Sequence, residues 1–347
     1  MRTPRSLSRR APRLKNTLGW KLRAPSPISI DKRSTAARER VMAHRKPGTR
    51  RRNTVELTRA EDASDDVLVR ENGREYPIDS GIATFEKVAG YADSWNLLIN
   101  GQYSSHITVG EPTRLSFPYM QWIAAGVAWF ERETGTEPRR ITHLGGAGCS
   151  LARYMAATYP SSRNTVVEID SALADLARNL CDIPRAPHVK IRVGDARNVT
   201  ESFRPASRDI VIRDVFSSST TPVPLTTVEF TEAVQSSLAQ PGLYAVNCGA
   251  QAGLDTAKRE AATLRETFAH VALIADSTVL KGKRGGNIVF LASSVQLPQR
   301  DSSAATALSS DVMRGRVPAV YKDPAWVAQF SAGAAVICDP RTPQDAD

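Results

Sequence analysis

The chain has 347 residues and a formal net charge of +10, with 41% hydrophobic and 24% charged residues, which is typical of a folded globular protein. Residues 1–60 contain 18 of the 46 Lys and Arg residues but only three of the 36 acids, so residues 61–347 carry a net charge of −5. A mildly acidic main body argues against a nucleic-acid-binding surface there. No apolar run reaches about 18 residues, so no transmembrane helix is expected.

The four cysteines lie far apart in the sequence, at positions 149, 181, 248 and 338, and none belongs to a C-x-x-C pair. This spacing indicates neither a disulfide framework nor a zinc site. We therefore expect a protein of a reducing compartment, the cytoplasm, without a bound metal.

Residues 1–60 are rich in Arg, Ser and Pro, and such a segment buries too little apolar surface to fold, so we expect it to be disordered. Three interpretations of this segment remain open: a transit peptide, a basic arm that touches an anionic partner, or an over-extended start. Met42 begins a plausible shorter protein. We favour an over-extended start or a tail without a function.

Residues 80–115 predict a small antiparallel β element, because short β-like runs cover 82–88, 95–99 and 106–109. Asn100-Gly101 between two of these runs is a hairpin signal. Residues 117–134 then place apolar side chains at helical spacing and predict a helix.

Residues 116–297 alternate apolar strands with amphipathic stretches, which predicts a doubly wound, mostly parallel α/β sheet of the Rossmann-like type. Its seven predicted strands cover 141–144, 164–169, 189–193, 209–213, 243–248, 271–275 and 287–292. The predicted helices between them cover 150–159, 172–180, 226–239 and 255–268. Residues 298–347 are expected to form a loose tail with one short helix at 324–330. In such a sheet, a ligand binds at the carboxyl ends of the strands.

A glycine-rich turn with Gly145, Gly146 and Gly148 follows the first strand, and Glu168 ends the second strand 23 residues after Gly145. Glycines let the backbone approach a ligand closely, and an acid at about this interval reaches a ribose hydroxyl. We therefore expect these residues, together with Asp170, to bind a nucleoside cofactor. A plain tight turn and a solvent-facing acid are the alternatives.

Two further acids fall at strand ends. Asp195, next to Ala196, can accept a hydrogen bond from an adenine amino group or can cap a helix, and both interpretations stay open. Asp214 ends the fourth strand, where a substrate would meet the cofactor, although a structural cap is an alternative.

Together these motifs resemble a family. Residues 82–293 resemble spermidine synthase-like proteins, which have the class I S-adenosylmethionine-dependent transferase fold. The resemblance rests on the glycine turn followed by VVEID, GDAR, DIVIRD and TTVEFTEAV, and on the hairpin INGQYSSHI. It implies decarboxylated S-adenosylmethionine as an aminopropyl donor, a small-molecule diamine such as putrescine as the acceptor, and a β domain often used for oligomerisation, so a homodimer is possible. It also implies Gln102, Tyr119 and Ser217 as substrate residues and Asp214 as the catalytic acid–base group.

The sequence departs from the family pattern at an acid that faces the donor's amine, at an acid that faces the acceptor amine and in a tyrosine loop. Gly148 stands where the family glycine loop has an acid, and Ser217 stands at the second acid of the family's D-S-S-D loop, whose first acid is Asp214. A family tyrosine loop has no counterpart at 276–286, which instead carries Lys281, Lys283 and Arg284.

Several functions therefore remain open. The first is aminopropyl transfer to a polyamine-type amine, and the second is methyl transfer from ordinary S-adenosylmethionine to a small molecule. The third is a non-catalytic relative that binds a nucleoside or a partner. An NAD enzyme is the least favoured, because Leu151 replaces the third glycine of G-x-G-x-x-G.

Overall fold

The computed structural model describes residues 69–91, 93–217 and 220–340, so the basic segment 1–60 lies outside the described residues. The strands are β1 Glu75–Ile78, β2 Gly81–Lys87, β3 Ser94–Ile99, β4 Gln102–Thr108, β5 Arg140–Leu144, β6 Arg163–Glu168, β7 Val189–Val193, β8 Arg208–Arg213, β9 Leu238–Ala250, β10 His270–Ala275, β11 Gly286–Ser293 and β12 Val320–Lys322. The helices are α1 Pro118–Thr134, α2 Ser150–Thr158, α3 Ser171–Leu180, α4 Ala196–Glu201, α5 Val228–Ser237, α6 Asp255–Thr267, α7 Ser277–Leu280, α8 Ser303–Met313 and α9 Pro324–Phe330.

Strands β1 to β4 form a small antiparallel sheet in sequence order. Asn100 and Gly101 link β3 to β4 with φ values of +50° and +76°, the left-handed conformation of a tight hairpin turn. One face of this sheet places Phe85, Leu97 and Ile107 in a buried cluster shared with α2 and α3. The small sheet thus lies against the start of the main domain.

The main sheet has the strand order β12-β10-β11-β9-β8-β5-β6-β7. Strands β9, β8, β5, β6 and β7 are parallel, whereas β11, β10 and β12 pair antiparallel. The α/β fold class is confirmed, but the sheet has eight strands where the sequence predicts seven. The additional strand β12 has only three residues, too few to show a periodic pattern.

The core is built in two layers because neighbouring side chains of a strand point to opposite faces. In β8, Val211 packs into one buried cluster and Ile210 and Ile212 into the other. The first cluster is covered by α5 and α6, and the second by α1, α2 and α8. The burial of both faces explains the continuous apolar runs that predict these strands.

The expectation of a loose tail is wrong for residues 298–340. Helix α8 buries Leu308 and Val312, and α9, which matches the predicted short helix, buries Val327. The segment 331–340, here called the C-terminal strap, then crosses α5 and α6, and Val228 N donates to Ile337 O at 2.8 Å. Hydrogen bonds and a few apolar contacts hold this region, and neither leaves a strong pattern in the sequence.

Within the described ranges, no helix is long and apolar enough to cross a membrane. The same part of the chain shows no group of His, Cys, Asp and Glu side chains arranged to hold a metal ion. Cys149, Cys181 and Cys248 are free and buried, and Cys338 is free and exposed.

Candidate functional site

The glycine turn between β5 and α2 lies directly against the end of β8. Gly145 has φ +90° and its N–H donates to Val167 O at 2.9 Å. A Cβ atom at Gly145 would lie 2.2 Å from the carbonyl oxygen of Asp214, so only glycine fits here. The turn and Asp214 therefore share one edge of the sheet.

Glu168, at the end of β6, points into the same turn. Its Oε2 accepts hydrogen bonds from the N–H groups of Gly146 and Ala147, both at 3.0 Å, and its Oε1 accepts one from Asp170 N at 3.1 Å. An ionised carboxylate has about four acceptor positions, so these bonds fix the side chain and leave acceptor capacity for a further donor.

Gly148 has a different neighbour. Its N–H donates to Ser105 Oγ of β4 at 2.9 Å, and a Cβ atom at this position would lie 2.8 Å from Ser105 Cβ. Gly148 therefore packs the turn against the small sheet, and its contact with a cofactor stays a prediction.

Asp170 also has structural partners. Its carboxylate accepts hydrogen bonds from Ser80 N at 2.7 Å, Ser80 Oγ at 2.6 Å, Asp79 N at 3.1 Å and Leu173 N at 2.7 Å. Burial alone would raise the pKa of Asp170, yet hydrogen bonds led by that from the Ser80 hydroxyl lower it below its usual value. In this structure the carboxylate caps α3 and holds the turn between β1 and β2, and its cofactor contact stays a prediction.

Asp195 caps α4, because its Oδ1 accepts from Asn198 N at 2.9 Å, and the following Ala196 is buried. The cap is therefore observed for Asp195. Two apolar side chains at the same sheet edge are exposed to solvent: Ile169 is 67% exposed and Val193 is 51% exposed. Exposed apolar groups at the carboxyl ends of β6 and β7 suit a flat, apolar ring system.

Asp214 lies at the centre of a polar network behind the turn. Tyr119 Oη of α1 donates to its Oδ2 at 2.9 Å, and Asn247 Nδ2 of β9 donates to its Oδ1 at 2.8 Å. Asn287 Nδ2 of β11 in turn donates to Asn247 Oδ1 at 3.0 Å. The structure thus brings the predicted Tyr119 and Asp214 together.

The pKa values of Asp214 and Tyr119, the two titratable groups of this network, are both raised. Burial raises the pKa of Asp214, although the hydrogen bonds from Asn247 and Tyr119 oppose that shift. Burial and the neighbouring carboxylate raise the pKa of Tyr119 well above its ordinary value. Tyr119 therefore remains a protonated donor while Asp214 is a stronger base than an exposed aspartate.

Sequence reasoning missed Asn247 and Asn287. The available signal is weak: Asn247 is a polar residue inside an otherwise apolar strand, and Asn287 stands near the start of another. Only the strand order, which places β9 beside β8 and β11 beside β9, brings both towards Asp214.

Gln102 and Ser217 are both exposed to solvent. Gln102 lies exposed at the start of β4, and among the described residues its side chain makes no hydrogen bond to the turn or to Asp214. Ser217 is exposed and pairs through its backbone with Thr220, its N–H donating to Thr220 O at 2.8 Å.

Comparison with known proteins extends these observations. No family model matches the chain. A solved structure described as a probable spermidine synthase from Corynebacterium glutamicum ATCC 13032 is 47% identical, with a TM-score of 0.76, over 79% of this chain and 98% of its own. A spermidine synthase from Thermotoga maritima is 15% identical, with a TM-score of 0.50, over 75% of this chain and 83% of its own, which shows the fold alone.

A curated polyamine aminopropyltransferase of Vibrio vulnificus (strain CMCP6) is 27% identical over 157 residues, 45% of this chain and 50% of the relative. The match thus spans about half the length of this curated relative. The similarity to the Corynebacterium protein, in contrast, extends over almost the whole of that relative at nearly half identity. The chain therefore belongs to the spermidine synthase family.

Proposed function

We propose that the protein transfers an aminopropyl group from decarboxylated S-adenosylmethionine to a polyamine-type amine. The observation that carries this proposal is the Asp214 carboxylate, which Tyr119 and Asn247 hold at 2.9 Å and 2.8 Å beside the glycine turn. A positioned carboxylate at the carboxyl end of a central strand is suited to bind and deprotonate an amine.

The residues of the turn fit the nucleoside of the donor. Glu168, fixed by the N–H groups of Gly146 and Ala147, would accept hydrogen bonds from the ribose hydroxyls. Ile169 and Val193 offer apolar surface to the adenine ring, and Asp195 stands at the same sheet edge. When bound, the donor supplies an electrophilic carbon next to its sulfonium.

Asp214 would then act on the acceptor. The amine nitrogen forms a bond to the propyl carbon, the carbon–sulfur bond breaks to release methylthioadenosine, and the nitrogen loses a proton to Asp214. Because each carboxylate oxygen accepts only one hydrogen bond within the network, both can still accept from an ammonium or amine. The two donors hold the side chain in one orientation, which favours alignment of the attacking nitrogen.

Methyl transfer from ordinary S-adenosylmethionine is the second candidate, and one observation favours it. Gly148 occupies the place of a family acid that would face the donor's amine, and Ser217 that of an acid that would face the acceptor amine. Each missing carboxylate removes about 1–3 kcal/mol of charge-assisted binding to an ammonium. Ordinary S-adenosylmethionine keeps its own carboxylate and would tolerate the first loss, and an uncharged or singly charged acceptor would tolerate the second better than a diamine.

The deciding experiment compares donors and products. We expect calorimetry to show binding of decarboxylated S-adenosylmethionine and methylthioadenosine, and mass spectrometry to show an aminopropylated amine and methylthioadenosine after incubation with putrescine. Glu168→Ala should weaken binding of methylthioadenosine by about 1.5–3 kcal/mol, the range for a hydrogen bond to a charged group. Ser217→Asp should raise the turnover of putrescine.

Other results would replace the proposal. A methylated product from S-adenosylmethionine, with no product from its decarboxylated form, would identify a methyltransferase. Tight nucleoside binding without either product would identify a non-catalytic relative.

A further inference from the structure

A fully buried ion pair lies directly behind the proposed catalytic carboxylate. Arg213 is the last residue of β8, next to Asp214, and its side chain is 1% exposed. It pairs with Glu260 of α6, whose side chain is 3% exposed. Such a pair is weak evidence for stability, because well-packed apolar residues often replace it without loss. Its presence here therefore calls for another explanation.

The guanidinium of Arg213 connects three parts of the site. Its Nη1 donates to Leu225 O at 2.7 Å, and Leu225 ends the short 3-10 turn that closes segment 220–225, in the loop that follows Asp214. Its Nη2 approaches Asn247 O at 3.5 Å, and the side chain of Asn247 holds Asp214 Oδ1. One buried side chain thus contacts both the far end of the segment after Asp214 and the strand that carries Asn247.

The pair also sets the charge next to Asp214. Tyr244 and Cys248 of β9 line the guanidinium, and Glu260 supplies the opposing charge from α6. On its other side Asp214 faces Tyr119 from α1. The positive charge of Arg213 lowers the pKa of Asp214 against the raising effect of burial. Glu260 carries the opposite charge next to Arg213, so its removal would leave this lowering effect unopposed.

We propose that Arg213 and Glu260 form a positioning pair that fixes segment 220–225 and Asn247 near Asp214 and maintains the basicity of that carboxylate. This inference rests on the proposed transfer reaction for its kinetic consequences, but its structural consequence can be measured without any substrate. Neither residue contacts the reacting atoms, so both act through Asp214 and its neighbours.

The test uses Glu260→Gln in the full-length chain, a change that keeps the shape and leaves the charge of Arg213 unbalanced. We expect kcat to fall about 10- to 100-fold, the effect of misplacing a reacting group by about 1 Å, with little change in the KM for the donor. The acid limb of the kcat/KM profile should move to lower pH, because the unbalanced guanidinium lowers the pKa of Asp214. Amide hydrogen exchange in 215–227 should become faster in the absence of ligand.

Arg153→Gln is the matched control. Arg153 is equally buried and pairs with Asp182 at 2.8 Å, but its other partner is Thr108 O of the small sheet. It should leave the exchange of 215–227 and the acid limb as in the wild type. The conservative Glu260→Asp should restore both readouts in part. The double variant Arg213→Gln with Glu260→Gln should move the acid limb back to higher pH, because it removes the buried charge.

The proposal is overturned if folded Glu260→Gln shows the same amide hydrogen exchange in 215–227 and the same acid limb of the kcat/KM profile as the wild type. If Glu260→Gln does not fold, the double variant decides the question through the exchange of 215–227. Loss of folding in both variants would assign the pair to the stability of the fold and overturn the positioning role. If the wild type shows no aminopropyl transfer, the proposed function fails, while the exchange measurement still decides whether the pair positions the segment.

Discussion

At the scale of single residues, the structure separates contacts that the sequence predicts from contacts that it cannot predict. Gly146 follows β5 and Glu168 ends β6, and these neighbouring parallel strands bring the two residues into contact. Their separation in sequence predicts this contact. Gly148 and Asp170 also contact Ser105 of β4 and Ser80 of the turn between β1 and β2, 43 and 90 residues away in sequence. No local pattern predicts how the small sheet lies on the turn, so the sequence does not predict these two contacts.

Asp214→Asn tests the proposed base at this scale. We expect turnover to fall by about 10²–10⁴, the range for loss of a general base, with binding of methylthioadenosine little changed. Because the folded-state pKa of Asp214 is raised, protonation favours the fold, and the ionised group at neutral pH costs stability. The neutral asparagine should therefore keep or raise the melting temperature at pH 7.5. Wild-type turnover in a folded variant would remove Asp214 from the mechanism.

At the scale of elements, periodicity predicts the centre of the chain and fails at its end. The strand at 209–213 and the helix at 255–268 lie within one residue of the observed bounds, because each buries several apolar side chains. The strand at 189–193 matches the observed bounds although only Val189 is buried. Helix α8 and strand β12 give weaker signals. The C-terminal strap has no regular structure and is held by single contacts: Ile337 N donates to Thr263 Oγ1 at 2.9 Å.

Deletion of the C-terminal strap and all residues after it should destabilise the protein. The strap contributes the backbone bond from Val228 and the ion pair of Asp339 with Arg197, which also bonds Pro224 O at 3.1 Å. The deletion removes several hydrogen bonds, each of which contributes about 0.5–1.5 kcal/mol to stability. Since a loss of 1 kcal/mol lowers the melting temperature by about 2–4 °C, we expect a fall of about 5 °C or more. Asp339→Asn should give a smaller fall, and a chain ending at Pro340 is the control. An unchanged melting temperature after the deletion would show that the strap adds no stability.

At the scale of the whole molecule, alternating strands and helices predict the doubly wound sheet because the fold needs helices on both of its faces. The pattern does not give the strand order, which is set by the packing of all the helices at once. The network of Asp214, Asn247 and Asn287 follows from that order alone, since Asp214 directly follows β8 and the two asparagines stand on β9 and β11. The part of the site formed across neighbouring strands therefore required the structure.

Two buried histidines make the stability of the whole molecule depend on pH. Burial lowers the pKa of His143 to about 4 against the bond to Asn164. Burial, followed by the charges of Arg114, Arg316 and Arg153, lowers the pKa of His106 to about 4. The folded state thus binds fewer protons than the unfolded state. The contribution of the two histidines to the free energy of unfolding is therefore complete above pH 6.5 and is lost as the pH falls towards 4.

We expect the free energy of unfolding, measured in urea, to fall between pH 7.5 and pH 5. His143 alone should account for about 2 kcal/mol of the fall, since each unit of pH below 6.5 costs about 1.4 kcal/mol. The lowered pKa values of Asp170 and Asp339 affect stability only near and below pH 4, and Asp214 acts in the opposite direction. His143→Gln, which can still bond to Asn164, should flatten the pH dependence, with His270→Gln at the partly exposed start of β10 as its control. Equal pH dependence in the wild type and in His143→Gln would show that His143 does not titrate with unfolding.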